Sequence, residues 1–417
     1  MIPLSFDEVA ALELGLLEGS GEIVGIKADS REVGPGDLFI ALNAGGAFLS
    51  DAQARGAATL VPHDQEAALA ALASFVRSKS DAHVIAVVGS AGKTTTKDIL
   101  GALCAPHAPT IWAEKSLNNE IGLPLTVCRL EPETQILVVE MGMRGIGQIA
   151  NLCEIAHPDV VVVPHIGPEH LELLGSVERV AEANAEAISS LPPAGTAVVP
   201  ARASALEPFL IRDDVAFRRF DPGDVDMRDG TTRFTIGGET IELELPFTQR
   251  HLAVNTLAAL HAYDALGLPL DRAWEGVAGI RLSPWRGEEI ALPGGGFVVN
   301  DAYNANPDSM RAALEHLVER AGERRRIAIL GEMAELGDAS EMYHRELGAI
   351  ASGLSIQVIG VGEPARAYEP AAWAPTADAA LAIARALIEP SDAVLVKASR
   401  AVGLEGIADE IANFGRA

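Results

Sequence analysis

Apolar and polar positions follow two rhythms along this chain: short unbroken apolar runs, and longer stretches with an apolar residue every third or fourth place. The run 84–88 reads as a buried strand. It breaks at Gly89-Ser90-Ala91-Gly92, and a helix opens at Lys93 or Thr94 with Ile99, Leu100 and Leu103 on its inner face. Ahead of it, Phe6, Val9, Ala10 and Leu14 mark a helix. Pro35-Gly36-Asp37 turns into a strand over 38–42, and a helix over 51–56 precedes a strand over 59–61. Further on, a strand over 136–139 ends in Glu140, a helix runs to Ala156, and a strand covers 159–163. The helix 176–191 turns Val177, Val180, Ile188 and Leu191 inward, and the same stripe carries Asn184, which must find hydrogen-bond partners there. TTRFTIGGETIELEL alternates about Gly237-Gly238 as a β-hairpin, and RHLAVNTLAALHAYDALGL predicts an amphipathic helix bearing His251 and Asn255. The last third repeats strand, polar loop, helix in FVVNDAYNANPDSM, RRRIAILGEMAEL, SIQVIGVG and DAVLVKASR, the signature of a Rossmann-like open sheet. The expected class is α/β in three units: a small α/β unit over 1–81, a mononucleotide-binding unit over 82–283 and a Rossmann-like unit over 284–417.

Composition narrows the function. A chain of 417 residues exceeds what one core supports, which agrees with several domains. The net charge of −26 argues against nucleic acid or an anionic membrane as partner, though not against a nucleotide handled by local lysines and arginines. No apolar run reaches membrane-spanning length, and the acidic start MIPLSFDEVAALELGLL is not expected to act as a signal peptide. Three scattered cysteines (Cys104, Cys128, Cys153) form neither a disulfide framework nor a zinc pattern, so a reducing cytoplasm is expected.

The chemistry concentrates at the glycine turn. Strand, glycine loop and helix N-terminus hold a polyphosphate through free backbone N–H groups, the helix dipole and a lysine, here Lys93. A hydroxyl directly after the lysine, Thr94, is placed to ligate the magnesium that accompanies the phosphates. The glycine that normally opens a P-loop is replaced by Val87, leaving the shorter GxxGKTT form. Glu140, at the carboxyl end of a neighbouring strand, is placed to reach that metal, or is an exposed strand-end glutamate. His165 and His170 flank the turn in PHIGPEHLE; His170 draws attention because its strand should lie near that of Glu140. Asp29-Ser30-Arg31 reads on its own as a turn with a surface ion pair.

Taken in order, DSREVGPGDLFIAL, GSAGKTT, LNNEIGLPLT, EMGMRGIGQI, IGPEHLE, NDAYNANPDSM, GEMAELG and VLVKASR resemble the Mur ligases of bacterial cell-wall synthesis over nearly the whole chain. DAYNANPDSM with GEMAELG points to the activity joining D-alanyl-D-alanine to a UDP-N-acetylmuramoyl tripeptide, with ATP as co-substrate. The resemblance implies that Gly89, Ser90, Ala91, Gly92, Lys93, Thr94 and Thr95 wrap the ATP phosphates, with Asn118 and Asn119 near the triphosphate. Thr94, Glu140 and His170 would hold Mg2+. Asn255, Arg286, Asp301, Tyr303 and Asn304 would close over adenosine and the γ-phosphate. Lys93, Glu140, His170, Arg286 and Asp301 would form the catalytic set. Ser30 and Arg31 resemble part of the UDP-sugar pocket; Lys397, Ser399 and Arg400 resemble the loop facing the amino-acid substrates. A monomer that closes by domain movement is expected. Two departures stand out: Asn184 occupies the place of a family lysine whose carbamate helps hold a second magnesium, and a shorter GGAFLSDA replaces the family's DGHxF stretch. His165 stands where relatives commonly carry asparagine. The competing readings are another Mur-type or folylpolyglutamate-type ligase, and a non-catalytic nucleotide-binding relative.

Overall fold

The structure, a computed structural model, describes residues 1–228 and 230–413. Ser5 opens the first helix with a reciprocal capping box to Glu8. That helix is Phe6–Ala10 and stops before Leu14, because Glu13 takes a left-handed φ of +54°. The chain then runs straight into the strand Gly15–Glu18, which the sequence pattern does not predict. It pairs antiparallel with Ala58–Pro62, the expected strand. Asp37–Ile40 and Gly25–Lys27 complete a four-stranded sheet. The GGAFLSDA stretch forms a 3-10 turn, Asn43–Phe48, leading into the helix Leu49–Ala54.

The middle of the chain builds a six-stranded, wholly parallel sheet. Its order is Ala216–Phe220, Thr196–Pro200, Val160–Val162, His83–Val87, Ile136–Glu140, Thr110–Trp112. His83–Val87 is fully buried but for His83, as its apolar run requires of a strand covered on both faces. The strands that follow it fall first on one side and then on the other, so the crevice at its carboxyl end is a topological switch point. A three-stranded antiparallel sheet, Val225–Arg228, Thr231–Ile236 and Glu239–Leu243, lies beyond and contains the expected hairpin.

The helix Arg250–Ala265 departs from its amphipathic expectation: it is buried on nearly every face, including Asn255, Thr256 and His261. One side packs with Ile85, Val87, Leu100 and Leu103; the other meets Phe234 and Ile236 of the hairpin. The hairpin covers the face that the sequence pattern assigns to water.

The last sheet has the order Glu288–Ala291, Phe297–Asn300, Ala393–Lys397, Arg326–Leu330, Ile356–Val361, Ala372–Ala374, with only the first strand antiparallel. Ala393–Lys397 lies between two strands that precede it in the chain, so this sheet also has a switch point, from which Asp301 and Lys397 emerge.

Candidate active site

The two crevices meet in one cleft of about 780 Å³. The phosphate loop forms its floor. Gly89 has φ +116°, and a Cβ there would lie 2.7 Å from the His165 carbonyl; only glycine passes this point. Gly92, at φ +80°, caps the helix Lys93–Cys104 in a left-handed turn against Asn255. Asn184 accounts for its place on an inward stripe. Its Oδ1 accepts the Gly89 N–H at 2.5 Å, and its Nδ2 donates to the Val180 carbonyl at 2.8 Å. A neutral amide in this chain thus shapes the phosphate loop from behind.

Lys93 Nζ donates to the Gly89 carbonyl and stands 3.4 Å from both oxygens of Glu169. Thr94 Oγ1 is 3.0 Å from Ser116 Oγ and accepts from Arg286 Nη2 at 2.8 Å. One turn further along the helix, Lys97 is completely buried; it donates to the carbonyls of Ala113 and Lys115, both at 2.6 Å, and forms an ion pair with Asp98 Oδ1 at 2.7 Å. Asp98 Oδ2 accepts from both the N–H and the hydroxyl of Ser283, at 2.9 and 2.8 Å. This pair fastens two remote segments to the phosphate-loop helix: one carries Ser116 and Asn118, the other leads to Arg286. Trp285, at φ +61°, sits under the Arg400 guanidinium, and Arg286 stacks on Tyr303 at 4.0 Å. Gln249 Nε2 holds the Gly287 carbonyl at 2.7 Å.

Asn118 Nδ2 donates to Glu140 Oε1 at 2.7 Å, while Glu140 Oε2, buried, has no partner. An unsatisfied carboxylate oxygen in a phosphate-binding cleft suits a cation. His170 also lines the cleft, with Nδ1 bonded to Glu335. Among the described residues no three of His, Cys, Asp and Glu are grouped to hold a metal by themselves. A metal at Glu140 would draw its other ligands from Thr94, His170, phosphate or water. On the opposite wall Lys397 Nζ pairs with Asp301 and donates to the Asn304 carbonyl at 3.0 Å. Beside them the His251 imidazole is pushed down to about 4 by desolvation, with Asp301 opposing and Lys397 and His316 adding to the shift. His165 Nε2 meets Asp308 at 2.8 Å, and Asn306 Nδ2 donates to the Ser90 carbonyl at 3.2 Å, so the two walls touch directly.

Of the residues singled out in the sequence, the cleft gathers Ser90 to Thr95, Asn118, Asn119, Glu140, His170, Asn255, Arg286, Asp301, Tyr303, Asn304 and Lys397. Ser30, Arg31, Ser399 and Arg400 do not line it. Arg31 forms the local ion pair with Asp29. Ser399 Oγ accepts from the Ala334 N–H, and Arg400 pairs with Glu405. Ser116, Glu169, His251 and Asp308 line the cleft without having been singled out as site residues. Glu169 was the most findable, being the neighbour of His170.

A phosphate loop facing a Rossmann-like sheet across one cleft is the architecture of a nucleotide-binding α/β enzyme. Residues 87–263 match the Mur ligase middle domain, and residues 285–400 match the Mur ligase, glutamate ligase domain. The chain is 30% identical to the UDP-N-acetylmuramoyl-tripeptide–D-alanyl-D-alanine ligase of Escherichia coli (strain K12), with 98% of each covered. MurF from Acinetobacter baumannii superposes with a TM-score of 0.87 at 28% identity, covering 99% of both chains. MurF ligase from Thermotoga maritima in complex with ADP gives 0.81 at 27% identity, covering 94% of this chain and 98% of that one. The chain belongs to the Mur ligase family, on the branch of the D-alanyl-D-alanine-adding enzymes.

Proposed function

We propose that this enzyme adds D-alanyl-D-alanine to UDP-N-acetylmuramoyl tripeptide at the expense of ATP, giving the pentapeptide precursor of peptidoglycan, ADP and phosphate. The observation that carries the reading is the single cleft joining a phosphate loop to the Asp301–Lys397 wall in a chain that aligns with 98% of such a ligase. A carboxylate is a poor electrophile, so the tripeptide's terminal carboxylate oxygen first attacks the γ-phosphorus, and the bond to the ADP oxygen breaks. The amine of D-alanyl-D-alanine then attacks the acyl phosphate carbon, loses a proton, and phosphate leaves.

In this reading the loop 89–95, Asn118 and Asn119 hold the triphosphate, and Lys93 and Arg286 offset charge on the transferring phosphoryl group. Asn255, Tyr303 and Asn304 fix the nucleotide, and Asp301 and Lys397 hold the wall against which the second substrate is oriented. Thr94 and Glu140, with His170 at the rim, would hold Mg2+, which when bound neutralises phosphate charge. Ser30, Arg31, Ser399 and Arg400 act from outside this cleft, on the distal parts of the substrates. We assign the work to three units, 1–81, 82–283 and 284–417, in a cytoplasmic monomer. No helix among the described residues is long and apolar enough to cross a membrane.

The test is phosphate release from MgATP with each co-substrate omitted in turn. Release that needs both, with the pentapeptide seen by mass spectrometry, is expected. ATP binding without release on either the lysine or the diaminopimelate tripeptide would overturn the reading.

A further inference from the structure

Glu169 is the cleft residue that the roles above leave without a task. It stands at the end of the loop after Val160–Val162, is only 9% exposed, and lines the same cavity as the phosphate loop. Its neighbours are the Lys93 ammonium, 3.4 Å from each oxygen, and the His170 ring, whose Nε2 is 3.7 Å from Oε1. Lys93 is the ammonium through which the loop addresses a phosphate, so a triphosphate seated there brings its own anions to within a few ångströms of the Glu169 carboxylate. Water is largely excluded from that carboxylate, and like charges at such a range repel strongly. A second carboxylate oxygen, Glu140 Oε2, is buried without a partner in the same cleft and adds to the negative field. Bare ATP must therefore take Lys93 from Glu169 and also face an unneutralised carboxylate. ATP carrying a divalent cation meets both carboxylates with the charge they lack.

We infer that Glu169 makes nucleotide binding conditional on a divalent cation, by penalising the metal-free triphosphate. This rests on the reading of the cleft as an ATP site. A glutamate that merely held Lys93 in place would have the opposite signature, since its loss would weaken both forms of the nucleotide.

The experiment is calorimetric titration of the full chain with ATP, in excess magnesium and in EDTA, for wild type, Glu169→Gln, Glu169→Asp and Glu172→Gln. Glu172 is exposed and controls for net charge alone. Thermal melting of each variant confirms folding. Glu169→Gln is expected to bind metal-free ATP about tenfold more tightly than wild type, while its affinity for MgATP changes by less than about threefold. Glu169→Asp, which keeps the charge, and Glu172→Gln retain the wild-type contrast between the two forms. Unchanged or weaker binding of metal-free ATP by Glu169→Gln overturns the inference while leaving the ATP site intact. A wild-type chain that binds neither form overturns the nucleotide reading itself and this inference with it.

Discussion

Replacing Asn184 by leucine removes a single contact from the phosphate loop and little else. The asparagine is 1% exposed, and its Nδ2 bond goes to the Val180 carbonyl one turn back on its own helix, where the backbone ladder already supplies a donor. Leucine is close in volume and apolar, so the packing survives. What is lost is the 2.5 Å acceptor of the Gly89 N–H, in a buried place with no water to take over. An unsatisfied buried N–H costs about 1–3 kcal/mol. The substitution should therefore lower unfolding free energy by about 2 kcal/mol and, because the cost falls on the loop itself, weaken ATP binding by about tenfold. Urea unfolding gives the first quantity and titration the second. Hydrogen exchange of the peptide spanning 83–100 locates the effect, with faster exchange expected there. Wild-type stability and exchange with undiminished binding would refute the argument that Asn184 acts by ordering Gly89. Lost binding with wild-type exchange would refute it too, and would place the amide on the ligand.

Gly89→Ala should abolish ATP binding while leaving a folded chain, since its Cβ would drive into the His165 carbonyl; binding within about threefold of wild type would contradict the close approach. Ser283→Ala removes one of the two bonds from the linker to Asp98 and should raise KM for ATP several-fold, with stability lowered by about 1 kcal/mol; Ser283→Thr should restore both. The His344 ring is buried, accepting the Met333 N–H at 3.0 Å and donating to the Ser340 carbonyl at 2.7 Å, and burial pushes it below its ordinary 6.5. The unfolded chain then takes up a proton below about pH 6.5 that the folded ring refuses. Stability should fall as pH drops through that value, by at most about 1.4 kcal/mol per pH unit for this group, and should not change above it. Thermal melts of wild type and His344→Gln between pH 7.5 and 5 check this, and an identical acid slope in both would sink it.

The sequence makes the phosphate loop and the last sheet legible because their strands are unbroken apolar runs closed by glycine or polar loops, a local signal. The strand Gly15–Glu18 hides behind leucines spaced equally well for a helix, and only its pairing with Ala58–Pro62 decides the matter. The burial of Arg250–Ala265 is hidden for a related reason: periodicity shows one apolar face but not that a distant hairpin covers the other. Most of the candidate site follows from motifs, yet the bonds that position it do not. Asp98 meets Ser283 across 185 positions of chain, and nothing local to either residue announces the partner. Arg31 shows the converse, since its nearest acid, Asp29, answers its charge on the spot.

The fastened linker bears on where the last unit could swing away from the phosphate loop. Ser283 is tied to the phosphate-loop helix, and Gly287 is tied through Gln249 to the base of the buried helix; both anchors, Asp98 and Gln249, belong to the middle unit, so Pro284, Trp285 and Arg286 are pinned at both ends and any hinge would lie beyond Gly287. Arg286 therefore rides with Thr94, while Tyr303 and Arg400, which stack on Arg286 and Trp285, belong to the last unit. A swing of the last unit would part those stacks and leave the Arg286 guanidinium on its hydroxyl. The arginine would then wait with the phosphate loop, and the wall of Asp301 and Lys397 would be the part that arrives.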